Sequence, residues 1–124
     1  MKLITYNFLT SKILRGVKVG YPLKINIVQK EIKSAEYNAE FITRMIPRLD
    51  WSGVCFGAEQ VGCGGDIPKE FNDTITSDTE ILQKLHHILL EIDIIEGNLQ
   101  CPETGRIFPI SNGIPNMLLT EDEL

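Results

Sequence analysis

Long apolar runs are missing from this 124-residue chain. No stretch approaches the ~20 apolar residues that a membrane span needs. The opening Met1-Lys2-Leu3-Ile4-Thr5-Tyr6-Asn7 has too short an apolar run for a signal peptide. Cysteine is scarce: Cys55, Cys63 and Cys101 are odd in number and widely spaced, a poor disulfide framework that favours a reducing compartment. An excess of positive charge is lacking too. Lys and Arg number 12 against 17 Asp and Glu, for a net charge of −5, whereas a chain that grips nucleic acid by itself normally carries a basic face. The densest basic group, Lys12, Arg15 and Lys18, reads as a solvated loop, with phosphate contact as the alternative. These absences lead to the expectation of a cytoplasmic and nuclear protein away from the membrane. The apolar fraction of 43% and charged fraction of 23% are those of a folded globular chain. The length suits one domain, or one domain with an insertion.

The patterning changes twice along the chain. Residues 2–9 read as a strand, with Leu3, Ile4, Phe8 and Leu9 as its apolar contacts, and Gly16, Gly20 and Pro22 mark a loop after it. The alternation of Leu23-Lys24-Ile25-Asn26-Ile27 predicts a half-buried strand running to about Ile32. Helical spacing then takes over. Asn38 can cap a helix carrying Phe41, Ile42, Met45 and Ile46, which Pro47 ends or kinks, and Asp50 can cap a second from Trp51. Ser77-Asp78-Thr79-Glu80 reads as a capping box before the wide stripe Ile81, Leu82, Leu85, Ile88, Leu89 and Ile92. A period of two returns with Ile94 to Gln100, a turn at Pro102-Glu103-Thr104-Gly105, and a strand from Arg106 to Ile110. A tight Asn112-Gly113 turn and an extended segment from Ile114 to Leu119 follow, and the acidic tail from Glu121 is expected to fray. The order is strands, helices, strands, which argues α+β. Residues 1–34 and 95–124 would form one small antiparallel sheet domain, with residues 35–94 as an inserted helical domain.

No catalytic set emerges. Cys101-Pro102-Glu103-Thr104-Gly105 resembles one knuckle of a zinc ribbon, but Thr104 stands where a second Cys would complete it, and structural zinc needs four ligands. The residues argue against zinc and for a knuckle kept as a turn. His86 and His87 are adjacent, so on a helix they point about 100° apart and do not chelate one ion. Cys55 lies on an apolar helix face, the setting of an inert thiol, and Cys63 among glycines has no evident base. No Gly-x-Gly-x-x-Gly follows a strand, so no cofactor is expected in this chain. What remains is surface: Phe8, Leu9, Phe108, Ile110, Ile114, Met117 and Leu118 lie in segments a small sheet would gather. Either they are core, or an apolar face beside a free sheet edge awaits another sheet.

The chain resembles the small activator subunit shared by eukaryotic and archaeal methyltransferases of tRNA, ribosomal RNA and a translation release factor, and within it a metal-less animal-type member. The resemblance rests on Met1 to Leu9, Glu36-Tyr37-Asn38-Ala39-Glu40-Phe41, Asp50-Trp51, Leu85-His86-His87-Ile88-Leu89-Leu90-Glu91, Ile95-Glu96-Gly97, Cys101 to Arg106 and Pro109 to Leu119. It implies a zinc-ribbon-like sheet built from both chain ends with a helical insertion. It also implies a non-catalytic heterodimer partner that serves several methyltransferase catalytic subunits, one at a time. S-adenosylmethionine would be bound by the partner, and RNA met only through it. Metal-bearing members have two cysteines in the N-terminal loop and two in the knuckle. Here those positions are Ser11, Gly16, Cys101 and Thr104, so hydrogen bonds or apolar packing are expected in place of zinc. The expected partner contacts are Met1, Leu3, Thr5, Phe8, Phe108, Ile110, Asn112, Gly113, Ile114, Pro115, Asn116 and Met117. An independent nucleic-acid-binding ribbon, or a thiol enzyme using Cys63, are the alternatives.

Overall fold

A computed structural model describes residues 1–123. Among them, four strands, β1 (Lys24–Ile32), β2 (Ile92–Gln100), β3 (Ile107–Ser111) and β4 (Ile114–Pro115), make one sheet in chain order. Every pairing is antiparallel. The helices α1 (Leu3–Tyr6), α2 (Ala39–Met45), α3 (Trp51–Gln60) and α4 (Thr79–His86) complete an α+β fold. All but α1 lie between β1 and β2 in the chain, so the sheet is closed by segments from both ends of the sequence.

Alternation gives the sheet its two faces. Ile25, Leu99, Phe108 and Ile110 point inward and are buried. On the other face, Asn26 donates to Asn98 across the β1–β2 pair, at 2.7 Å. Gly97 is the close point of that pair, because a Cβ there would stand 2.2 Å from the Asn26 carbonyl oxygen. The inward face joins Ile42, Val54, Leu82, Leu85 and Ile88 from the helical stretch in one continuous buried cluster.

The first expected strand is instead mostly helix. Lys2 makes a single bridge to Asp93, and the Met1 carbonyl accepts from the Ile94 N–H at 2.9 Å. The chain then turns into α1. Leu3, Tyr6 and Asn7 are the buried positions, a spacing of three and four rather than two. Tyr6 donates to the Leu23 carbonyl at 2.5 Å. Asn7 reads both backbone groups of Asp50, donating to its carbonyl at 2.9 Å and accepting its N–H at 3.0 Å.

The caps follow the sequence closely. Asn38 accepts from the Phe41 N–H and Asp50 from the Gly53 N–H, as expected, and the chain leaves α2 as a 3₁₀ turn around Pro47. The cap of α4 is Asp78 rather than Ser77: its carboxylate accepts the N–H groups of Glu80 and Ile81, while Ser77 ends the preceding 3₁₀ turn. An anionic acceptor suits a helix N-terminus better than a hydroxyl.

After α4 the helix widens into a π turn, His87–Glu91. This turn explains the histidine pair. His86 is buried and its Nε2 lies 2.9 Å from the Ala35 carbonyl, while Glu91 accepts the Ala35 N–H at 3.0 Å and sits 2.9 Å from His87 Nδ1. The two residues hold the chain where it leaves β1 for α2. They are a backbone clamp.

Candidate partner-binding surface

Two turns connect the last three strands, and they are built differently. The first is the knuckle. Cys101 and Ser11 are both buried, and the Ser11 hydroxyl lies 3.0 Å from Cys101 Sγ and 3.4 Å from the Gly20 carbonyl, donating to one at a time. The Thr104 N–H also points at the sulfur, 3.4 Å away. Burial opposes ionisation of Cys101. The Ser11 hydroxyl, the Thr104 side chain and the N–H groups of Thr104 and Glu103 outweigh it and hold the thiol below its ordinary value. Glu103 closes the site from the other side. Its carboxylate accepts the N–H groups of Lys18, Val19 and Gly20 at 3.0, 3.0 and 2.6 Å. Three backbone donors on one carboxylate tie the N-terminal loop to the knuckle, the connection that a shared metal makes in a zinc ribbon.

The second turn opens outward. Asn112 and Gly113 both have positive φ, 52° and 78°, the signature of the tight hairpin turn that Asn-Gly favours. It returns the chain as β4, which pairs through Ser111 with Ile114 and Ile110 with Pro115. Beyond β4 the sheet has no further strand among the described residues. Ile114 and Leu118 are 69% and 79% exposed. They stand beside an open groove of about 650 Å³ walled by Ser111, Asn112 and residues 114–118.

The expected contact residues therefore divide. Met1, Leu3, Phe108 and Ile110 are buried in the chain's own core, so their side chains offer no docking surface. Their apolar pattern belongs to the inner face of the sheet and to α1. Thr5, Phe8, Asn112, Ile114 and Asn116 are exposed, and Gly113, Pro115 and Met117 partly so. Leu118, absent from the expected set, is the most exposed apolar residue of the groove. Its signal in the sequence was the unbroken apolar run Met117-Leu118-Leu119 after the last turn. Glu103 and Arg106 were missed because a charged residue in a turn carries no signature of what it will bind.

The other candidate chemistry dissolves. Cys55 and Cys63 are half-buried free thiols, and burial, with Glu59 near one and Asp66 near the other, pushes both up from the ordinary value. That is the opposite of an activated nucleophile. No group of three or more His, Cys, Asp or Glu side chains is placed to hold a metal among the described residues. At the knuckle, Ser11 faces Cys101 as a hydrogen-bond donor and Gly16 brings no side chain, so this donor set does not fit zinc.

Residues 2–113 match the family described as Trm112p-like protein. The chain belongs to that family. The Trm112p-like relatives include the multifunctional methyltransferase subunit TRM112-like protein of Mus musculus, 46% identical over 124 residues, covering 99% of this chain and 98% of the relative. The TRM112 homolog A of Arabidopsis thaliana is 45% identical and matches over the whole of both chains. TRM112 of Saccharomyces cerevisiae is 35% identical over 96% of each. Among solved structures, the fold is shared with a chain of the E. cuniculi Mtq2–Trm112 complex, which is responsible for methylating the eRF1 translation termination factor. The TM-score is 0.54 at 19% identity, over 95% of both chains.

Proposed function

We propose that this chain is the non-catalytic activating and stabilising subunit of S-adenosylmethionine-dependent methyltransferases that act on tRNA, ribosomal RNA and a translation release factor. It would bind their catalytic subunits one at a time. The observation that carries the reading is the Trm112p-like match over residues 2–113, on a chain whose last strand ends in an open, apolar sheet edge. The cofactor belongs to the catalytic subunit. RNA reaches this chain through that subunit, in the cytoplasm and the nucleus. The sheet domain of residues 1–34 and 95–124 is the docking unit in this reading, and residues 35–94 brace it from behind.

The physical basis is sheet extension. β4 is an outer strand, so a partner strand laid beside it gains main-chain hydrogen bonds, while Ile114 and Leu118 leave water at roughly 25 cal/mol per Å² buried. The edge is short and Pro115 has no N–H, two features that work against pairing with a second copy of the same edge. A partner that exposes a complementary apolar strip when alone would gain solubility from the match. Thr5 on the exposed side of α1 and Phe8 just after it, both exposed, are proposed to extend the contact.

Co-expression with a candidate methyltransferase tests the reading. The expected result is a 1:1 complex and a catalytic subunit that is more soluble and more active than when made alone. A catalytic subunit equally soluble and active without this chain would sink it. The knuckle is proposed to be metal-free, and elemental analysis of the purified chain checks that directly.

A further inference from the structure

Beyond Asn116, whose N–H donates to the Pro109 carbonyl at 2.8 Å, the backbone of residues 117–123 makes no hydrogen bond to any strand. A segment with so little backbone attachment would ordinarily be mobile. One side chain supplies the missing attachment. Arg106, just ahead of β3, meets Glu123 as a fork, Nε to Oε2 at 2.8 Å and Nη2 to Oε1 at 2.7 Å. The same Nη2 reaches the Leu118 carbonyl at 3.4 Å, and Nη1 bonds the Ile107 carbonyl. The guanidinium lies over the Phe108 ring, 4.5 Å from its centroid, and that ring is fully buried. Glu123 in turn accepts the N–H and hydroxyl of Thr120 at 3.0 and 3.1 Å. Both partners of the ion pair are about three-quarters shielded, with 24% and 22% of their side-chain surface exposed. The acidic tail is thus latched, not frayed. The span between the Asn116 bond and the latch carries Met117 and Leu118, two residues of the open groove.

We propose that Arg106 is a positioning residue for the partner surface: by holding Glu123 and the Leu118 carbonyl it keeps residues 116–120 in the binding conformation before the methyltransferase arrives. This rests on the function proposed above. The bidentate fork suits the task because it fixes direction as well as distance. Ordering a loose segment at the moment of binding weakens affinity by the fraction of chains in the competent conformation. A latch already closed removes that loss, and it acts on the association rate.

The test uses the full chain, a methyltransferase catalytic subunit that binds it, and the variants Glu123→Gln and Arg106→Lys. Glu123→Gln keeps the shape and leaves Arg106 on Phe108. Two quantities are read: amide hydrogen exchange of residues 117–120 in the free chain, and association and dissociation rates with the catalytic subunit. Each variant should speed exchange at residues 117–120 and slow association about tenfold with dissociation nearly unchanged. The double variant should be no worse than the weaker single one, because both remove the same fork. Unchanged exchange in both singles overturns the latch. Faster exchange with unchanged association overturns its role in binding. A wild-type chain that binds no methyltransferase removes the function itself, and the role of Arg106 with it, whatever exchange shows.

Discussion

The knuckle at residues 101–106 and the strap after Asn112-Gly113 are neighbouring turns of one sheet with opposite fates. In the knuckle the two central side chains have found partners inside the chain: Cys101 with Ser11 and Thr104, Glu103 with three backbone N–H groups. In the strap the edge of β4 and the side chains of Ile114 and Leu118 have none. A region that satisfies itself can only contribute stability. A region that leaves apolar surface and a strand edge open is where another molecule can gain. A knuckle free of metal, as proposed, would leave the proposed docking surface intact, because the two lie on different turns.

The sharpest way to break this contrast is to remove what both turns stand on. Phe108→Ala should cost about 3–5 kcal/mol of stability, the range for deleting a fully buried ring, and should weaken partner binding along with it. Chemical denaturation gives the first figure and a pull-down with the catalytic subunit the second. Ile114→Asp should separate the two regions. Its side chain is 69% exposed, so stability should move by no more than about 0.5 kcal/mol. Affinity for the catalytic subunit should fall by about 2 kcal/mol or more, the scale of a central interface residue. Equal affinity with equal stability would place the docking surface elsewhere.

Ser11→Ala is the mirror image. It removes the buried hydroxyl that faces Cys101, at a cost of about 0.5–1.5 kcal/mol, and leaves binding of the folded chain unchanged. The smallest effect is one of pH. The N–H groups of Lys18, Gly20 and Val19 hold the Glu103 carboxyl below the ordinary carboxylate range. The folded value lies below the unfolded one, so the tie is complete above the ordinary range and is lost as the pH falls through the lower folded value. Arg106 and the Thr120 N–H hold Glu123 lower still, at about 2. Acidification should release exchange protection at Lys18, Val19 and Gly20 first and the strap afterwards. The opposite order would mean that the latch is the weaker tie.

Much of the fold was legible in the residues. Asn38 and Asp50 announced their helices, alternation marked β1 and β2, and Asn112-Gly113 fixed the last hairpin, because each of these signals is local and rests on backbone chemistry. The site was legible in outline. The stretch that carries the open groove stood out as an apolar segment after a tight turn, but Met1, Leu3, Phe108 and Ile110 among the expected contacts were core. Pattern alone does not say which side of a sheet the rest of the chain will cover. Leu3 and Phe108 therefore read as surface candidates and ended inside.

The sequence by itself determined the class of fold, the absence of a complete zinc ligand set at Ser11, Gly16, Cys101 and Thr104, and the family to which those positions belong. These depend on residue identity and on spacing along the chain. Tertiary structure alone decided that residues 3–6 coil into a helix, that Glu103 ties the N-terminal loop to the knuckle, and that Arg106 reaches across to Glu123. Each of those is a contact between parts far apart in sequence or a choice made by burial. A side chain in a turn carries no mark of its distant partner until the sheet has brought the two together.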